Sequence, residues 1–151
     1  MHDSRTIANE FLRLAEADRN TLTPMQLLKL VYIAHGWHLG LFGRPLIRDS
    51  VEAWQYGPVI PRLYEDVRRF RGAPITDFLP TPLRRDPLSE EDERFLADVY
   101  ERYGRRDGLE LSRLTHARGT PWSRVYEDGT FGRTISDDLV QAYYEDLAQK
   151  P

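Results

Sequence analysis

The pattern of apolar positions predicts a chain of helices in which one helix is buried on almost every side. Between residues 25 and 42 apolar side chains surround nearly the whole helical circumference, and a narrow break is formed by Gln26, Lys29 and Gly36. A helix that is apolar all round lies inside a protein. We therefore expect this segment to form the central helix of the fold.

Local signals mark where this helix begins. Thr23 stands at the N-cap position, Pro24 at the first helical position, and Gln26 three residues after the cap, as in a capping box. Leu22 and Leu27 occupy the two positions of a hydrophobic staple. Gly40 and Gly43 are expected to end the helix.

Helical periodicity and caps predict further helices on both sides of the central one. They cover residues 6–17, 62–70, 109–116, and the segments that follow Ser89, Thr120 and Ser136. The sequence therefore predicts a mainly α fold of about six or seven helices. Residues 71–87 contain four prolines and no sustained period, which predicts a long loop with one extended stretch near 75–79.

A small β-hairpin is predicted between the central helix and the next one. Residues 45–48 and 51–56 are typical of two short strands, with Asp49 and Ser50 as the turn between them. Gly57 and Pro58 then form a rigid turn, and Pro61 begins a helix. A lone hairpin is marginal in water, so it must pack against the helices. We expect residues 1–151 to form a single compact domain.

Composition excludes several classes of protein. The chain has no Cys, which excludes disulfides, thiolate zinc sites and cysteine nucleophiles. Its net charge of −3 disfavours a general nucleic-acid binder, whose domain would be basic. The longest uncharged stretch, 30–42, is too short to cross a bilayer, and no secretion signal opens the chain. We expect a cytoplasmic protein with no membrane partner.

No pattern indicates an enzyme, a metal or a cofactor. His35 and His38 are three residues apart on one helix, and a metal would need His116 or Glu52 as a further ligand. The chain contains neither a recognised metal-binding spacing nor a nucleophile elbow nor a phosphate-binding glycine loop. We therefore predict a binding protein without catalytic residues.

Lys29 is the notable charge of the central helix. An unpaired charge in so apolar a segment would be costly, so we expect an ion pair with Glu52 that docks the hairpin onto the helix. The functional alternative is an activated lysine or an anchor at an interface.

The hairpin and the helix after it carry a candidate partner-binding patch of Trp54, Tyr56, Arg62 and Tyr64. Tryptophan, tyrosine and arginine are favoured anchors at protein interfaces. The alternative is that the aromatic face of the hairpin is buried against the central helix, with the arginines on a solvated surface.

These segments together resemble the SocA-like Panacea-domain family. The resemblance is carried by residues 27–39, by 52–64, by Leu114-Thr115-His116 with Pro121-Trp122, and by 135–144. Within these segments the residues that we take as a structural signature are Lys29, Trp37, Glu52, Gly57, Pro58, His116 and Trp122.

The resemblance implies a helical domain of bacterial and phage proteins that acts as the antitoxin of a toxin–antitoxin pair, binds a cognate toxin and has no catalytic residues. Because the chain holds little beyond this domain, we do not expect it to regulate its own transcription. The alternatives are a phage-associated adaptor that binds a host protein, a DNA-binding regulator, and a metal-dependent hydrolase. The sequence leaves homo-oligomerisation and bacterial or phage origin open.

Overall fold

The computed structural model describes residues 1–80 and 85–150. Within them the chain forms seven α-helices, one short 3-10 turn and three short strands. In chain order these are α1 (Ser4–Ala17), α2 (Pro24–Phe42), β1 (Val51–Trp54), β2 (Gly57–Val59), α3 (Pro61–Val67) followed by the 3-10 turn Arg68–Phe70, α4 (Glu90–Tyr103), α5 (Gly108–His116), α6 (Pro121–Val125), β3 (Arg133–Ile135) and α7 (Asp137–Gln149). The prediction of a mainly α domain is confirmed.

Helix α2 lies at the centre, as its all-round apolar surface predicts. It packs against α1, α3, α4, α5 and α7, and its closest neighbour is α7. A side chain at Gly36 or Gly40 would overlap Tyr144 of α7, so these two glycines allow the two backbones to approach closely. The cost of glycine in a helix interior is offset by this packing.

The predicted N-caps are confirmed, and Gly43 ends α2 as expected, whereas Gly40 lies inside the helix. Thr23 accepts the backbone N–H of Gln26, and the Gln26 side chain accepts the N–H of Thr23 at 2.8 Å, which completes the capping box. The hydroxyl groups of Ser89, Thr120 and Ser136 cap α4, α6 and α7 in the same way, because each accepts a backbone N–H from the first turn of its helix. Each cap satisfies an amide that the helix itself leaves without a partner.

The sheet differs from the predicted two-stranded hairpin. β1 pairs with β2 in an antiparallel hairpin whose turn residues are Gln55 and Tyr56, so the hairpin lies one strand later in the chain than expected. β1 also pairs with β3, from the far end of the chain, giving the order β2-β1-β3. The prediction of a strand at 45–48 was wrong, and so was that of a turn at Asp49 and Ser50.

Residues 45–48 pair instead with the first residues of the chain. His2 donates its backbone N–H to Leu46 O at 2.8 Å, and Arg48 donates its own to His2 O at 2.9 Å. The His2 ring then reaches α4 and the segment before it, with Nδ1 2.7 Å from Asp86 and Nε2 2.9 Å from Asp92. This contact fixes the start of the chain against α4.

The described part of the predicted loop forms no strand at 75–79. Ile75 and Leu79 are buried, Ile75 donates its N–H to Leu22 O, and Asn9 bonds both backbone groups of Leu79. Residues 81–84 of this loop lie outside the described residues. Among the described helices, none is both long enough and apolar enough to cross a membrane.

Candidate partner-binding site

The turn of the hairpin places one residue in a conformation that favours glycine. Gly57 has a φ of +122°, which side chains rarely adopt. A Cβ at this position would also lie 2.9 Å from Lys29 Nζ and 3.6 Å from the Cβ of His116. Gly57 is therefore held between the central helix and the end of α5.

Side chains from α5 and α6 hold the turn through its backbone. Ser112 donates its hydroxyl to Tyr56 O at 2.9 Å, and Trp122 donates its indole N–H to Trp54 O at 2.6 Å. His116 packs edge-on against Trp122, with ring centroids 5.3 Å apart. Both carbonyls are thus fixed by residues more than fifty positions later in the chain.

Lys29 does not form the predicted ion pair with Glu52. Its Nζ donates to Pro58 O at 2.9 Å, and among the described residues no carboxylate lies within 4.0 Å of it. The side chain is 4% exposed, and burial lowers its pKa to about 8. Lys29 does connect the hairpin to the central helix, as expected. It does so through a hydrogen bond to the Pro58 carbonyl rather than through an ion pair.

Glu52 lies on the other side of the hairpin. Its carboxylate accepts the indole N–H of Trp54 at 3.0 Å. Val51 and Ala53 are buried, whereas Glu52 and Trp54 are partly exposed. The alternation predicts correctly that Glu52 and Trp54 share one face of the strand. The expectation that the face carrying Trp54 is buried against α2 was wrong, because Val51 and Ala53 of the opposite face are the buried residues.

The outward side of the hairpin carries a partly exposed aromatic cluster. The Trp54 ring packs against Tyr64 of α3 at 5.0 Å between centroids and against Phe131 at 5.1 Å. The Arg68 guanidinium lies 5.7 Å from the Tyr64 ring centre. We name Trp54, Tyr64 and Phe131 the aromatic face. Phe131 is 76% exposed and Tyr56, at the tip, is 69% exposed, so this end of the molecule presents two large aromatic side chains to solvent.

Phe131 is the member of this face that the sequence analysis missed. It lies in the loop between α6 and β3, flanked by Gly129 and Gly132, which both have positive φ. A lone aromatic between two glycines in a polar loop is the signal that could have indicated it.

Arg62 is close to this region but not part of the aromatic face. Its guanidinium lies 3.7 Å from Asp3 and lines a charged groove of about 480 Å³ beside β1. The remaining lining residues are Asp3, Arg48, Asp49, Ser50, Glu52 and Pro61. Of the four predicted contact residues, the structure therefore brings Trp54 and Tyr64 together, with Tyr56 at the tip and Arg62 in the neighbouring groove.

The histidines serve separate structural contacts. His35 is fully buried, with Nε2 3.0 Å from Asp137 and Nδ1 facing the amides of Leu46 and Ile47. His38 bonds the Arg44 carbonyl through Nδ1. Within residues 1–80 and 85–150, no three His, Asp or Glu side chains are grouped as a metal site requires.

Trp37 belongs to a different part of the molecule. Its indole N–H donates to the Tyr103 hydroxyl at 3.0 Å, and its ring packs edge-on against Tyr144. It therefore joins α2, α4 and α7. The other six residues of the predicted signature, by contrast, lie in or around the hairpin.

The fold and the site define a class: a small, mainly helical domain with a clamped β-hairpin and an exposed aromatic face. Residues 27–123 match the family model described as "Antitoxin SocA-like, Panacea domain". The chain is also similar to the antitoxin SocA of Caulobacter vibrioides (strain NA1000 / CB15N). The two sequences are 33% identical over 155 aligned positions, and the alignment covers 92% of this chain and 80% of the relative. The chain therefore belongs to the SocA-like Panacea-domain family. No significant match to a solved structure was found.

Proposed function

We propose that this chain is a cytoplasmic antitoxin that neutralises a cognate toxin by direct binding, and that the aromatic face is the surface that the toxin contacts. The proposal rests on the family and on one structural observation, the exposed ring of Phe131 packed against Trp54. Exposed apolar patches on small domains commonly mark interaction sites.

The construction of this end of the molecule supports binding. Trp54 and Tyr64 are set on a rigid strand and helix, so little side-chain entropy remains to be lost when a partner packs on them. Phe131 and Tyr56 are more exposed than Trp54 and Tyr64 and offer their rings to a partner. Large aromatic anchors of this kind contribute most of the binding energy of an interface.

The mechanism that we propose is steric. The antitoxin covers the active surface of the toxin or holds the toxin in an inactive state, and no residue of this chain performs a chemical step. The partner is a protein; neither a nucleic acid nor a membrane has a role.

Co-expression with the product of the adjacent gene tests the proposal. We expect that product to inhibit growth alone, and this chain to restore growth and co-purify with it. The antitoxin hypothesis fails if the product is harmless alone and never co-purifies. A chain that binds a host protein with no toxic neighbour would instead support the adaptor alternative.

Two exposed phenylalanines provide a matched pair of variants. Phe131→Asp should abolish growth rescue and co-purification while lowering the free energy of unfolding by no more than about 1.5 kcal/mol, because the largely exposed ring loses only its contact with Trp54. Phe78→Asp alters a 54% exposed phenylalanine in the loop before α4 and should preserve both activities. If the two variants behave alike, the aromatic face is not the toxin contact.

A further inference from the structure

Strand β3 forms one edge of the sheet, because the strand order is β2-β1-β3. A strand at an edge offers backbone N–H and C=O groups that no neighbouring strand pairs. Thr134, at the centre of β3, is exposed to solvent. The direction of its backbone groups follows from the pairing register of the sheet and from one proline in β2.

Pro58 fixes which residues of β1 form hydrogen bonds with β2. Ala53 lies opposite Pro58, which has no backbone N–H and whose carbonyl accepts a bond from Lys29. Opposite residues of antiparallel strands alternate between pairs that exchange hydrogen bonds and pairs that do not. The pairs on either side of Ala53 therefore carry the bonds to β2, and the backbone groups of Ala53 point the other way, towards β3.

The same alternation fixes the direction of the groups in β3. Ala53 exchanges hydrogen bonds with its partner Arg133. In the next pair Glu52 lies opposite Thr134, and no backbone bonds join them. The N–H and C=O of Thr134 therefore point away from β1, towards the open side of the sheet. Within residues 1–80 and 85–150, neither group bonds to another part of the chain.

We propose that an extended segment of the toxin adds to the sheet as a further strand beside β3. The inference rests on the proposed function and specifies the conformation of the segment that binds. An extended chain is the partner whose own N–H and C=O groups match those of Thr134 in direction and spacing. Such main-chain bonds do not depend on the side chains of the partner, which are left to provide specificity.

The added strand lies next to the aromatic face. Residues that are opposite each other share a face of the sheet, so Thr134 lies on the outer face with Glu52 and Trp54. Phe131 packs against Trp54 at this face. Because alternate side chains of a strand point to the same face, every second side chain of the added segment reaches these rings. One segment thus combines backbone bonds at Thr134 with ring contacts at Phe131.

Two variants of Thr134 test the strand addition. Thr134→Pro removes the outward N–H, places a ring in the path of the added strand and leaves the bonds to β1 intact, as edge strands tolerate. It should weaken calorimetric binding of the adjacent gene product at least about tenfold. Thr134→Val keeps the N–H and a side chain of the same shape, and should bind within about twofold of the unchanged chain. Circular dichroism checks that both variants fold, and equal binding by the two would overturn the proposal.

Amide hydrogen exchange tests the same idea on the unchanged chain. In the free protein the Thr134 amide should exchange at least about tenfold faster than those of Arg133 and Ile135, which bond to β1. In the complex with the adjacent gene product it should slow by at least about tenfold, because the added strand accepts it. A Thr134 amide that is slow in the free chain, or that stays fast in the complex, contradicts the proposal.

Three outcomes keep this proposal separate from the first. If Phe131→Asp abolishes binding and Thr134→Pro does not, strand addition fails while the antitoxin proposal stands. If light scattering shows a dimer that Thr134→Pro dissociates, the added strand comes from a second copy of the chain and the proposal is wrong. If the adjacent gene product neither inhibits growth nor binds, both proposals fail.

Discussion

The two sides of the β-hairpin differ in construction. On the inner side, Lys29, Ser112 and Trp122 each donate a hydrogen bond to a backbone carbonyl, and a Cβ at Gly57 would lie 2.9 Å from Lys29 Nζ. On the outer side, Trp54 meets Tyr64 and Phe131 through ring packing, and much of that surface is exposed.

Most residues of the signature that we predicted therefore lie apart from the residues that we propose bind the partner. Five of the seven residues of the predicted signature contact or form the inner side, and two of them, Lys29 and Trp122, bind backbone carbonyls of the hairpin. Phe131, which completes the outer side, is no part of the signature. A domain built in this way can keep its inner clamp while the outer side chains vary.

The largest effect is expected from adding a methyl group to the inner side. Gly57→Ala should lower the free energy of unfolding by about 3 kcal/mol, because it combines an unfavourable φ with a contact that displaces Lys29 from Pro58 O. Chemical denaturation measures the change. Gly119→Ala is the control: Gly119 also has positive φ but has open space around it, so only strain of about 1 kcal/mol is expected. Equal losses would show that the contact contributes nothing.

A second expected effect concerns pH. Because burial lowers the pKa of Lys29 to about 8 in the folded state, the unfolded chain binds more protons between that value and the ordinary lysine pKa. Stability should therefore rise with pH in this window, by about 1.5 kcal/mol between about pH 8 and about pH 9.5. The rise should be absent in Lys29→Met, with denaturation at each pH as the measurement. The same slope in both proteins would assign it to another group.

The smallest expected effect is the loss of stability when either of two indole N–H groups, one on each side of the hairpin, is removed. Trp122→Phe keeps a ring beside His116 but removes the bond to Trp54 O, at a cost of about 1 kcal/mol. Trp54→Phe removes the bond to the partly exposed Glu52, which water can replace, so we expect less than about 0.5 kcal/mol. Thermal or chemical unfolding of both variants tests the order, and the reverse order would contradict the distinction between the two sides.

Local signals predicted most of the helices. Caps such as Thr23 and Ser89 act within one helical turn, so neighbouring residues suffice to locate them. The burial of α2 also followed from its own composition. These features depend on contacts or patterns within a short segment.

The sheet could not be predicted in the same way. Residues 45–48 are apolar enough for a strand, but they pair with His2, and β1 pairs with β3 about eighty residues later. No local pattern specifies such a partner, and a three-residue strand such as β3 has almost no periodicity to detect. For the same reason the sequence located Trp54 and Tyr64 but could not show that Phe131 joins them, or that Lys29 meets a carbonyl and not Glu52.

The packing of Tyr144 over Gly36 and Gly40 has a consequence for synthesis on the ribosome. Helix α2 is complete about a hundred residues before α7 is made, and β1 likewise precedes β3 by about eighty residues. Until the last helix emerges, the apolar glycine face of α2 has no cover, and the nascent chain exposes it to chaperones and to other chains. The final step of folding must therefore await the end of translation of α7.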